Sequence, residues 1–165
     1  MPLPPNSFLF IGVGQPFRQD DAVGRMLAQQ LQNDPWPGIH VIESNGDGMA
    51  MIETWQNAHT VWVVDAVAPA QKPGTIYRFE AHQKELPQSL FGNSTHHWSL
   101  GEAIEMSRVL GSMPQRLIVF GIEGISFDHG LELSPEVEEA MPIVMERIQA
   151  EYQEQRRLVE ETDHA

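Results

Sequence analysis

Cysteine is absent from the 165 residues, which removes disulfides, iron–sulfur ligation, thiolate zinc sites and cysteine nucleophiles together. The lack fits a reducing compartment. Basic residues are scarce: 10 Lys and Arg stand against 23 Asp and Glu, a net charge of −13. A phosphate backbone wants the opposite balance, so nucleic acid is not an expected partner. No stretch approaches the roughly 20 apolar residues of a membrane span. The opening MPLPPNSFLFIGVG has neither the basic n-region nor the long apolar core of a signal peptide. The expectation is a cytoplasmic, monomeric chain without a membrane partner.

What is present is an alternation of short apolar runs and helical patterns. Phe8 to Val13 reads as a buried strand, and Asp20 and Asp21 then open a helix with Val23, Met26, Leu27 and Leu31 inward. Acids suit a helix start because they face the positive end of its dipole. Ile39 to Glu43 reads as a second strand and Asn45-Gly46-Asp47-Gly48 as a turn, followed by a short helix with Met51, Ile52 and Trp55 inward. Thr60 to Val67 is too unbroken an apolar run for an exposed sheet face. Thr75 to Phe79 alternates as an edge strand does.

The segment from Leu86 to Trp98 looks irregular. Ser99 and Glu102 form a capping-box pattern for a helix with Leu100, Ala103, Ile104 and Leu110 inward. Leu117 to Ile122 is a further buried strand. Ser134 and Pro135 start a last helix that buries Val137, Ala140, Met141, Val144, Met145 and Ile148. Strands alternating with helices imply an α/β fold: one three-layer domain with a twisted, mostly parallel sheet of five to six strands and helices on both faces. It is expected to occupy residues 1–150, with 151–165 a polar acidic tail, as helix extension or disordered. Residues 132–165 carry ten acids against three bases, a net of −7, which reads as a solvated helix face.

In such a sheet, ligands bind where the strands end at their carboxyl edge. Gly12-Val13-Gly14 after the first strand invites a dinucleotide reading, and Glu43 sits where a ribose-binding acid can lie. Phe17 replaces the third glycine, however, and Asp20 and Asp21 would repel a pyrophosphate. The glycines are better assigned to a tight turn. Asp65 closes a buried run, where a carboxylate needs partners. His96 and His97 lie in a polar cluster, Asn93-Ser94-Thr95-His96-His97-Trp98. Two carboxylates and one imidazole form a plausible site for a borderline divalent metal with open positions. Ser94, Ser99, His97 and Asp65 supply hydrolase residue types, but no Gly-x-Ser-x-Gly elbow or His-Glu-x-x-His occurs.

Three blocks sharpen this reading. Gly12-Val13-Gly14-Gln15-Pro16-Phe17-Arg18-Gln19-Asp20-Asp21-Ala22-Val23-Gly24 resembles the opening motif of the nickel–iron hydrogenase maturation proteases. Val63-Val64-Asp65-Ala66 resembles their second block and Ser94-Thr95-His96 their third, while Gly121-Ile122-Glu123 is similar to a later strand-end block. The resemblance covers about residues 8 to 148. It implies an endopeptidase that removes a short C-terminal extension from the hydrogenase large-subunit precursor once nickel is inserted. By the same resemblance Asp21, Asp65 and His96 are both the catalytic and the metal-contacting residues, and Asp20 and His97 inherit neither role. Nickel would be supplied by the substrate, with zinc or cadmium able to substitute in vitro. Gln15 stands where the family usually has asparagine. The Asn45–Gly48 turn resembles a family loop near this site, which makes it a candidate specificity element. A rival reading is a non-enzymatic nickel-binding chaperone for the same subunit.

Overall fold

The apolar runs pair into one sheet. In the computed structural model, which describes residues 3–91 and 100–163, β1 (Phe8–Val13), β2 (Ile39–Ser44), β3 (Thr60–Val67), β4 (Ile76–Glu80) and β5 (Arg116–Glu123) form five strands in the order β2-β1-β3-β5-β4. All pairings are parallel except β4 on β5. The central strands are buried on both faces, which explains their unbroken hydrophobicity. The edge strand β4 is only partly covered, and its Arg78 reaches out to Glu151 at 2.9 Å.

Alternation along the strands divides the interior in two. Phe8, Phe10, Trp62, Val64, Ile118 and Phe120 face α1 (Val23–Asn33) and α5 (Pro135–Asp163). Leu9, Ile11, Val61, Val63, Leu117 and Val119 face α2 (Gly48–Trp55), the single turn α3 (Gln88–Phe91) and α4 (Leu100–Leu110). Helices therefore cover both faces of a single α/β domain. The period-two pattern of each strand decides which helix pair it meets.

Two local expectations are corrected. The acids at 20 and 21 lie in a 3-10 turn, Gln19–Ala22, and the α-helix proper begins at Val23. In α4 the buried stripe is Leu100, Ala103, Ile104 and Ser107, whereas Leu110 is 58% exposed. Ser107 sits on the inward face because its hydroxyl accepts the Trp55 indole N–H at 2.9 Å, a partner that a buried indole requires. The capping pattern at Ser99 lies outside the described residues.

The last helix runs on through the polar stretch to Asp163. Tyr152 is buried there among Phe8, Trp36 and Trp62, with ring centroids 5.4, 5.7 and 6.0 Å away. Its hydroxyl donates to the Pro37 carbonyl, which Arg156 also reaches at 2.9 Å. Among the described residues no helix is long and apolar enough to cross a membrane.

Candidate active site

Strands β1 and β3 run level to Gly12 and Val64, so Asp65 extends one residue past the last paired position. The chain leaving β1 folds back through the 3-10 turn, which packs against β3, and enters α1. This return is tight because of glycine. A Cβ on Gly24 would lie 2.3 Å from the carbonyl oxygens of both Val13 and Val64, and one on Gly12 would lie 2.0 Å from the Gly24 oxygen. Neither Gly12 nor Gly14 has a positive φ. Gly12 is therefore a place where strand and helix backbones touch, and Gly14 one where the loop after β1 meets the 3-10 turn, a Cβ there lying 2.3 Å from the Asp21 carbonyl oxygen. The consequence is that Asp21 is delivered to the carboxyl ends of β1 and β3, where Asp65 emerges.

The two carboxylates feel one another. Burial drives the Asp65 carboxyl well above the ordinary carboxylate range, the negative charge of Asp21 pushes it further, and the Ala66 N–H opposes. Desolvation and a like charge both disfavour ionisation, so the pair favours an added proton or a cation. Asp21 is held in place by the Gln15 backbone N–H, which donates to its Oδ2 at 3.2 Å. The Gln15 side chain reaches across to the turn after β2, donating from Nε2 to the Asn45 carbonyl at 2.9 Å. Gln15 thus ties two loops of the same edge together.

The rest of the Asn45–Gly48 turn is built from its own side chains. Asp47 caps α2 by accepting the Ala50 N–H, Asn45 Oδ1 accepts the Asp47 N–H, and Gly46 takes a φ of 96°. A groove of about 460 Å3 opens beside it, lined by Arg25, Glu43, Ser44, Asn45 and Asp47 among others. Glu43 is not a ribose ligand here: it accepts from Arg25 at 3.1 Å and Gln29 at 2.8 Å.

A family model described as hydrogenase maturation protease, HycI, matches residues 22–151, most of the chain. The chain belongs to the hydrogenase maturation protease family. Membership makes it a peptidase of hydrogenase maturation rather than a chaperone without turnover. The protease is 26% identical over 151 residues to the hydrogenase 2 maturation protease of Escherichia coli, covering 88% of this chain and 90% of that one. It is also 26% identical over 144 residues to the hydrogenase expression/formation protein HupD of Thiocapsa roseopersicina, spanning 84% of this chain but only 64% of that longer one. Its fold matches the hydrogenase maturating endopeptidase HybD of E. coli with a TM-score of 0.75 at 23% identity, covering 90% and 93% of the two chains. The HybD of Thermococcus kodakarensis matches with a TM-score of 0.65 at 20% identity, over 87% and 97%.

Of the three candidate site residues in the protease, Asp21 and Asp65 come together, and His96 lies outside the described residues, as do Ser94, His97 and Ser99. Among the described residues no three His, Asp or Glu side chains are placed to hold a metal ion. Glu123, at the end of the later block, is buried and structural: it accepts from the Gln71 N–H at 2.9 Å and the Tyr77 hydroxyl at 2.8 Å.

Asp20 has a role its position did not announce. It is fully buried, and its Oδ2 accepts the Ile125 N–H at 2.8 Å, the Ser126 N–H at 3.0 Å and the Ser134 hydroxyl at 2.7 Å. Its Oδ1 takes the Ser134 N–H at 2.7 Å. Burial alone would raise this carboxyl, but the hydrogen bonds outweigh it and hold it below the usual carboxylate range. Asp20 thereby fastens the turn that carries Asp21 to the loop after β5 and to the start of α5. Ser134 occupies the cap position of α5, yet its hydroxyl is spent on Asp20, not on the helix.

Proposed function

We propose that this protease removes the C-terminal extension of a nickel-loaded hydrogenase large-subunit precursor, and that Asp21, Asp65 and His96 contact the nickel carried by that precursor. The observation that carries the reading is the meeting of Asp21 and Asp65 at the carboxyl edge of the sheet, in a chain of this family. A desolvated carboxyl beside a second carboxylate is stabilised by a divalent cation. Their oxygens with one imidazole nitrogen suit a borderline metal such as nickel, and zinc or cadmium would fill the same role in vitro.

In this reading the precursor brings a cation to the acid pair, so an empty precursor is bound poorly and is not cut. Grasping the ion fixes the adjoining peptide bond against the site, which converts a bimolecular attack into a positioned one. A carboxylate oxygen of the pair accepts a proton from the attacking water as its oxygen adds to the scissile carbonyl. The proton is then passed to the leaving amine as the C–N bond breaks. The raised proton affinity of Asp65 suits it to that transfer.

Purified protein incubated with the nickel-loaded precursor should produce a mass loss equal to the extension, with many precursors processed per protease molecule. Asp21→Asn and His96→Ala should each abolish the cut while the far-UV circular dichroism stays unchanged. Retained cleavage in both variants overturns the site assignment.

A further inference from the structure

Towards β2 the edge carries the groove lined by Asn45 and Asp47, with Met49 47% exposed beside it. Towards α5 it carries exposed apolar side chains: Phe17 is 65%, Ile125 49% and Leu131 74% exposed. These three sit on two loops that are laced together. The Gly130 N–H donates to the Phe17 carbonyl at 2.8 Å, and the Gln19 N–H donates back to the Gly130 carbonyl at 3.1 Å. The Ile125 N–H is held by Asp20. Phe17 is four residues before Asp21 on one loop, so anything bound at this rim is held in fixed relation to the acid pair.

Phe17 also has a φ of 66°. A bulky side chain in the left-handed region is strained, and glycine would adopt it without cost. Burial does not offset the strain, because the ring faces solvent. An exposed aromatic held in an unfavourable backbone conformation is a feature a fold retains for contact with something else.

We propose that Phe17, Ile125 and Leu131 form the docking surface for an apolar segment of the precursor adjoining the scissile bond; this rests on the reading of Asp21 and Asp65 as the cleavage site. A second copy of the chain does not fit, since three side chains fall far short of the about 800 Å2 per partner that a stable dimer buries. An extended peptide leaving the acid pair does fit, because a few central anchors carry most of the energy of such contacts.

The test is steady-state cleavage of the nickel-loaded precursor by the wild type, Phe17→Gly, Leu131→Ser and Phe17→Tyr, with calorimetric binding of the precursor and thermal melts in parallel. The glycine and serine variants should raise KM and weaken binding by about five- to tenfold, with kcat changed less than about twofold. Phe17→Tyr should stay close to the wild type. The melting temperature of Phe17→Gly should be unchanged or higher, since its backbone strain is relieved. Unchanged KM and unchanged binding in both the glycine and serine variants, with an active wild type, overturn the docking surface and leave the peptidase reading intact. An inactive wild type overturns the peptidase reading and the docking surface with it.

Discussion

Replacing Asp20 by asparagine keeps the shape of the side chain and removes one acceptor. The remaining oxygen can keep the three donors now at Oδ2, from Ile125, Ser126 and the Ser134 hydroxyl, but the amide must then face the Ser134 N–H at 2.7 Å. One charge-assisted hydrogen bond, worth about 1.5–3 kcal/mol, becomes a donor–donor contact, and the other three weaken. Relief of the desolvation cost of the buried charge offsets part of this, leaving a loss of about 2–3 kcal/mol. Alanine strips every acceptor and should cost about 4 kcal/mol, as breaking a buried charged network does. In a domain of this size each kcal/mol lowers the melting temperature by about 2–4 °C. Thermal melts by circular dichroism at pH 7 should therefore place the asparagine variant roughly 5–10 °C below the wild type.

Acidity supplies a second handle on the same residue. The folded Asp20 carboxyl is held below its unfolded value of about 3.9. Its stabilisation is therefore fully present above that value and is lost as pH falls through the lower folded value. The gap between wild type and variant should hold from pH 7 to about pH 5 and narrow below about pH 4. A gap at pH 7 under about 1 kcal/mol, or one that widens on acidification, refutes the assignment of Asp20 as an ionised structural hub.

Asp65 should behave in the opposite sense, since burial and the charge of Asp21 both oppose its ionisation. Asp65→Asn should abolish cleavage while raising the melting temperature at pH 7 by about 2–4 °C, the exchange expected where a site is built at the expense of stability. A melting temperature that falls would show that the repulsion is already compensated. Gly24→Ala would drive a methyl against the Val13 and Val64 carbonyls, both 2.3 Å from the added carbon. Urea unfolding should report a loss of about 3 kcal/mol, and a loss under about 1 kcal/mol would mean that α1 can move off the sheet freely.

The strands were legible because they are apolar on both faces. Thr60–Val67 reads directly from its composition, and Asp65 stands out as the one charge within it. The α4 stripe was partly misread: Leu110 looks like core and Ser107 does not, yet the indole of Trp55, 52 residues away, decides which of them is buried. Gly12 and Gly24 were visible as glycines but not as a contact between helix and sheet, since closeness of backbones is a property of packing. Asp20 was the least legible. Its partners lie 105 to 114 residues downstream, and adjacent to Asp21 it looks like ordinary helix-terminal charge. Gln15 likewise needed the Asn45 carbonyl in place before its longer side chain made sense.

Where the matched family ends, at residue 151, would be a natural place to cut the gene for a shorter protein. Tyr152 makes that a poor choice. Its ring closes a cluster that includes Phe8 at the start of β1 and Trp36 at the start of the approach to β2, so the end of the chain insulates its beginning. Removing it would open three aromatic rings to water at the amino edge of the sheet, the edge opposite the acid pair. A product shortened by one helical turn too many should become sticky before it becomes inactive, and pooling in inclusion bodies would be its first symptom.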